Sequence, residues 1–268
     1  MKKLPNNVID EIKYAKEILE NPGLFIQIAN YIGKPIEYGM KKLPKWTGRM
    51  VDKVVDKSLN KALGVAVYTM NISEKHQKPS NWWHRGSVIV TGGVAGFFSI
   101  GFLAVELPLS TCIMLRSIAE HARSQGLDLG DIKTRLECLS VFALGGNSKS
   151  DDMAETSYYA TRAMLAKEMA RAAAYFAERA GIEGATGSAE KAAAPIVAKF
   201  IEMITARYSP VVAEKIAAMA VPVLGALGGA AINTMFINHF QDMAEGHFII
   251  KRLENKFGQE EIQQIYNT

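Results

Sequence analysis

Cysteine is scarce, strand patterning is missing, and no short motif for a cofactor or a nucleophile occurs. Cys112 and Cys138 are the only two thiols in 268 residues. That is too few for a disulfide framework, and both stand in apolar helical contexts, so reduced, buried thiols in a cytoplasmic protein are expected. No sustained period-two alternation bounded by turns is present, which argues against a sheet and leaves helical periodicity as the organising signal. There is no phosphate or dinucleotide loop after a strand, no GxSxG elbow, and no HExxH or CxxC spacing. Gly92-Gly93 and Gly145-Gly146 form none of these, and Cys112 with His121 is too thin a pairing for a thiol nucleophile. No cofactor is expected. The opening MKKLPNNVIDEIKYAKE has two lysines but no apolar stretch behind them, so no secretory signal is expected.

Charge is present but unevenly spread. Residues 1–85 hold 15 Lys+Arg against 8 Asp+Glu, a surplus of seven, whereas the rest holds 16 against 19. A basic first third suits an anionic lipid surface or nucleic acid, and it is equally the look of an ordinary solvated face. Motifs that read DNA or RNA are missing and no aromatics are interleaved, so nucleic acid is not an expected partner.

Helical periodicity recurs along the chain. Val8, Ile12, Ala15 and Leu19 fall on one face, with Asn7 as a cap and Asn21-Pro22-Gly23 as a stop. A short helix is expected through Leu24 and Ile28, ending near Gly33-Lys34-Pro35. A longer one follows Pro44, with Val51, Val55, Ser58, Ala62 and Val65 on one face and lysines on the other. Leu107-Pro108 is expected to separate an apolar helix over 86–105 from a second helix ending at Gly126. Asp128 or Asp131 opens the next, which ends at Gly145-Gly146. Asp151 and Asp152 provide the acidic first turn of a long helix to Ala180. An Ala-rich helix follows, interrupted or started late by Pro195, and Pro210 precedes a second uncharged run. That run leads into HFQDMAEGHFIIKRLENKFG, where Gly258 is a natural C′ residue.

With no long linker, the reading is one all-α domain over 1–268, a bundle of about eight to ten helices. Its parts are basic helices over 1–80, an apolar hairpin over 86–125, long helices over 150–207, and a second apolar helix with the C-terminal helix over 210–258. The two glycine-rich apolar helices are expected at its centre.

Those two uncharged runs, 86–105 and 216–238, carry glycines four apart: Gly92 with Gly96, and Gly225 with Gly229. The spacing puts each pair on one face, where a neighbouring backbone approaches closely. Glycine costs roughly 1 kcal/mol relative to alanine inside a helix, so several per helix need such a reason. Each run is long enough to span a bilayer, and Trp82, Trp83 and Arg85 before the first suit an interfacial belt. However, Ser87, Thr91 and Ser99 in the first, and Pro222, Asn233 and Thr234 in the second, make the hydrophobicity marginal. Buried core, membrane embedding and conditional insertion all fit.

At the level of whole segments the chain resembles a known family. The early YAKEILENPGLFIQIANYIGKPIE, the central GGVAGFF…AVELPLSTCIMLRSIAEHARSQGLDL and RLECLSVFALGG, and the late VPVLGALGGAAINTMFINHFQDMAEGHFIIKRLENKFG are similar to EcsC-family signatures in the expected order. The stretch 149–210 resembles the family least. The family takes its name from a protein encoded beside an ABC transporter linked to secretion. The resemblance implies a bacterial protein on the cytoplasmic side, working near the membrane. It supplies no catalytic residues. The apolar hairpins and the basic first third add membrane lipid or a membrane protein as the expected partner.

The expected protein is non-enzymatic; the alternatives are a soluble interaction scaffold and a hydrolase-type enzyme whose pocket would gather four catalytic candidates, Glu106, His121, His239 and Asp242. Glu106 follows the first uncharged run; buried, its carboxyl would rise in pKa and act as an acid or proton-sensitive switch. Capping the next helix, or pairing with an arginine such as Arg116, is the structural alternative. His239 and Asp242 are i, i+3, with His247 eight residues beyond His239 and about 80° off its face. This is poor metal-ligand spacing, and no metal is expected. Arg116 with Glu120 reads as an ordinary i, i+4 pair, and Asn233, if buried, needs a hydrogen-bond partner and fixes helix register.

Overall fold

The computed structural model describes residues 4–20, 47–70, 100–145, 157–180, 188–219 and 225–268. These form eight helices: α1 (Asn6–Glu20), α2 (Thr47–Thr69), α3 (Ile100–Ser124), α4 (Ile132–Leu144), α5 (Ser157–Ala180), α6 (Ser188–Met219), α7 (Gly225–Phe257) and α8 (Gln259–Tyr266). No strand occurs among the described residues, so the fold is all-α as the missing alternation indicates. Val8, Ile12, Ala15 and Leu19 are the buried face of α1, and Val51, Val55, Ser58 and Ala62 belong to that of α2. The Val8 and Ile9 amides both donate to the Pro5 carbonyl, so α1 begins one residue before Asn7.

Several expected boundaries are realised by the capping chemistry that marks them. Asp131 caps α4, its Oδ1 accepting from the Lys133 amide at 2.9 Å. Gly126 and Gly258 take positive φ after α3 and α7, which non-glycine residues adopt only with strain. The Gly258 amide donates to the Glu254 carbonyl at 2.9 Å and closes the last turn of α7.

The prolines do not behave as expected. Pro108 lies inside α3, and Pro195 and Pro210 lie inside α6. An internal proline removes one backbone bond and costs about 3 kcal/mol, a penalty that tertiary burial can outweigh. Around Pro108, the neighbours Leu107, Ser110, Thr111 and Leu115 are all buried, and the Ser110 and Thr111 hydroxyls donate to the Leu107 carbonyl at 3.2 and 2.7 Å. Of the second apolar run, Ile216–Met219 lies in α6 and the part from Gly225 in α7, and 220–224 lie outside the described residues.

Among the described residues α4 is the most fully enclosed helix. It is packed by α2, α3, α5, α6 and α7. From Thr134 to Ala143 every residue of α4 except Glu137 is buried, the signature of a helix enclosed on all sides. Phe142 at its heart stacks at 5.0 Å on Tyr208 of α6 and 5.4 Å on Phe240 of α7. Cys112 and Cys138 are free and buried. The first glycine-rich stretch, 86–99, with Trp82, Trp83, Arg85, Gly92 and Gly96, lies outside the described residues, as do the short helix at 24–28 and the Asp151-Asp152 turn.

Candidate functional site

The polar interior is arranged along α7, which packs against α1, α3, α4, α6 and α8. At its N-terminal half, Glu106 of α3 accepts from the Lys215 ammonium of α6 at 3.3 Å, with only 9% and 4% of the two side chains exposed. The ammonium also sits 4.5 Å from the centre of the Phe236 ring, a favourable desolvated cation–π contact. Glu106 is therefore not a lone buried acid, and its partner is neither Arg116 nor a helix cap. Arg116 reaches the Thr69 hydroxyl at 3.2 Å, and Glu120 pairs with Arg123, not Arg116. Asn233 is buried, yet its Oδ1 has no hydrogen-bond partner among the described residues.

His239 is a helix-end residue. Its Nε2–H donates to the Gly145 carbonyl at 2.8 Å, satisfying the C-terminus of α4. Burial lowers its pKa, with that bond acting in the opposite direction. Arg207 does the same for the Ala143 carbonyl at 3.0 Å, and Arg135 for those of Ala66 and Val67 at the end of α2. Three buried or half-buried donors thus close helix C-termini, and at two of them the donor is a guanidinium, which the helix dipole also favours.

Nearly two turns further along α7, Glu245 faces Tyr14 of α1 and His121 of α3. The Tyr14 hydroxyl donates to Glu245 Oε1 at 3.0 Å. Burial pushes His121 down while Glu245 pulls it up, and burial followed by Glu245 raises Asp242. His121 and Asp242 therefore share a carboxylate neighbour. Glu106 and His239 belong elsewhere, and among the described residues no hydrogen bond or ion pair joins any two of the four candidates.

The most developed polar cluster is one that spacing did not reveal. Glu254 near the end of α7 takes two bonds from Arg162 of α5, at 2.7 and 2.6 Å. Tyr159 adds a third at 3.1 Å, and Arg162 also donates to the Tyr158 hydroxyl at 3.3 Å. That hydroxyl lies 3.0 Å from His247 Nδ1. Burial, then Arg162 and Lys251, holds His247 well below the usual histidine range.

The profile of the EcsC protein family matches residues 25–253. The chain belongs to the EcsC family. No curated protein and no solved structure gives a significant match.

In this EcsC-family chain, no three His, Cys, Asp or Glu side chains among the described residues come together as metal ligands. His239 and His247 are each committed to another partner. A cleft of about 310 Å³ lies where α3 turns into α4, lined by Gln125, Asp128, Asp131, Thr134, Arg252 and Asn255 among others. None of the four catalytic candidates lines it. Gly225 and Gly229 lie in the first two turns of α7, and no helix among the described residues is long and apolar enough to cross a membrane.

Sequence reasoning missed Lys215, Arg162, Glu254 and Tyr158. One signal was available: Glu214 and Lys215 interrupt the apolar stretch from Val211 to Met219, and a charge buried there needs a partner. Nothing local could have paired Arg162 with Glu254, which are 92 residues apart.

Proposed function

We propose that this EcsC-family protein is a non-enzymatic helical protein that works peripherally at the cytoplasmic face of a bacterial membrane, binding lipid. The observation that carries the reading is the placement of its charges. Buried charges are consumed by each other or by helix ends at three places: Glu106 by Lys215, Glu254 by Arg162, and Arg135 by the carbonyls of α2. Within the basic first third, Lys53, Lys57 and Lys61 of α2 face outward instead, all three exposed. A reaction centre needs convergent, available groups in a cleft, whereas a surface that meets anionic headgroups needs solvent-facing cations.

Fractionation tests this. Cells expressing the protein are broken, and the membranes are washed with high salt and then with carbonate. Release by salt supports peripheral attachment. Resistance to both washes places an apolar run in the bilayer and rejects the peripheral reading. Exclusive recovery in the soluble fraction rejects membrane association altogether.

A further inference from the structure

Exposed apolar side chains are few among the described residues, and two of them sit one turn apart on α3. Val105 is 71% exposed and Leu109 40%. With Cys112 and Arg116, at i+7 and i+11 from Val105, they form one strip of that helix. The strip borders α2 at two points. The Arg116 guanidinium donates to Thr69 at 3.2 Å. Lys61 and Arg116 both act on the Cys112 thiol, opposing the upward push of burial.

The adjoining side of α2 is cationic. Lys53, Lys57 and Lys61 follow at i, i+4 and i+8, and Tyr68, seven residues past Lys61, returns to the same side at 81% exposure. Asp52 and Asp56 each precede a lysine by one position, about 100° further round the helix. Asp56 is also three residues past Lys53 and offsets part of its charge, so the exposed surface of α2 keeps a surplus of two, from Arg49, Lys53, Lys57 and Lys61 against Asp52 and Asp56. The result is a lysine row with an exposed tyrosine, running beside an exposed aliphatic pair.

We infer that this joint face of α2 and α3 is the membrane-docking surface, taking an anionic phospholipid bilayer as its partner. The inference rests on the peripheral reading above and deepens it. Lysines meet the headgroups, Tyr68 sits at their depth as interfacial aromatics do, and Val105 and Leu109 enter the acyl boundary. Charge complementarity selects the occupant: apolar side chains alone would suit many partners, but three aligned lysines beside them suit a negatively charged surface.

The full chain is pelleted with vesicles of phosphatidylcholine mixed with phosphatidylglycerol, and with vesicles of phosphatidylcholine alone. The wild-type protein is expected on the mixed vesicles only, and to leave them as salt rises. The triple variant Lys53→Gln/Lys57→Gln/Lys61→Gln is expected to bind on the order of a hundredfold more weakly, at about fivefold per lysine. Leu109→Asp is expected to lose about tenfold. Lys199→Glu, on the exposed surface of α6, is expected to bind as wild type, and circular dichroism checks that each variant is folded. If the wild type binds mixed vesicles and the folded triple variant binds equally well, this face is wrong while the peripheral reading survives. If the wild type ignores both vesicles yet is salt-released from cell membranes, lipid is not the partner and the inference is overturned. If it neither pellets nor fractionates with membranes, both readings fall.

Discussion

Two buried ion pairs flank α7 and they are built differently. At its C-terminal end Arg162 grips Glu254 through two short bonds, Tyr159 supplies a third, and Tyr158 links the pair to His247. At the N-terminal half Lys215 makes one contact of 3.3 Å to Glu106 and rests on the face of Phe236, while nearby in sequence Asn233 keeps an oxygen without a partner among the described residues. A guanidinium fork matches a carboxylate in two directions, whereas an ammonium acts as a point charge. The first end is therefore specified by geometry, and the second is held mainly by apolar packing around a single charge contact.

The largest expected effect tests the better-built end. Arg162→Ala strands Glu254 at 4% exposure, and removing one partner of a buried pair costs about 3–5 kcal/mol. Urea denaturation followed by circular dichroism reads this. A loss below about 1 kcal/mol would mean that the fork adds nothing and would erase the contrast.

The next effect sharpens where the well-specified half makes its contacts. A Cβ at Gly246 of α7 would stand 2.8 Å from Leu19 Cγ and 3.1 Å from the Ala15 carbonyl of α1. Gly246→Ala is expected to lose about 1–3 kcal/mol by overpacking that crossing. At Gly64 of α2 a Cβ meets nothing within 4 Å, so Gly64→Ala is expected to gain up to about 1 kcal/mol from helix propensity. Thermal melts of the two variants should move in opposite directions.

At the less specified half, the double replacement Glu106→Leu with Lys215→Met removes both charges. Well-packed apolar substitutes for a buried pair are often neutral or stabilising, so the expected change is within about 1.5 kcal/mol. The same treatment of Arg162 and Glu254 should cost more, because Tyr159 and Tyr158 would lose partners too. Equal outcomes in parallel urea titrations would show that the two pairs are equivalent.

How far these features were legible follows from the range over which each acts. The faces of α1 and α2, the cap at Asp131 and the stops at Gly126 and Gly258 are local, fixed by neighbours within a turn, and the sequence displays them. Family membership was legible too, because whole segments carry it. Pro108 misled because the local cost of a proline is visible in a sequence whereas the burial of its neighbours Leu107, Ser110 and Thr111 is not; for the exposed Pro195 no such burial accounts for the unbroken helix. The enclosure of α4 was hidden because its order depends on five other helices. The candidate site suffered most from distance. Glu106 drew notice as an isolated acid, but its partner lies 109 residues away, and His239 drew notice as a ligand although its work is to close α4.

The smallest effect belongs to Glu214, next to Lys215, whose half-buried carboxyl is pushed up to about 7 by burial. A carboxyl raised in the folded state contributes stability that is fully present below its unfolded value near 4.5, and loses it as pH climbs through 7. Glu214→Gln removes this dependence while keeping the shape. Relative to wild type, the variant should be equally stable at pH 4 and more stable at pH 8, by about 1 kcal/mol once partial exposure to solvent is allowed for. Histidines lowered by burial, such as His239 and His247, titrate the other way but are common to both proteins, so the difference between the two pH profiles isolates Glu214. Urea midpoints between pH 4 and pH 8 measure it. A difference that is flat across that range would show that water reaches the carboxylate, and the α6 end beside Lys215 would then be wetter than the Arg162 end by more than the ion-pair geometry alone implies.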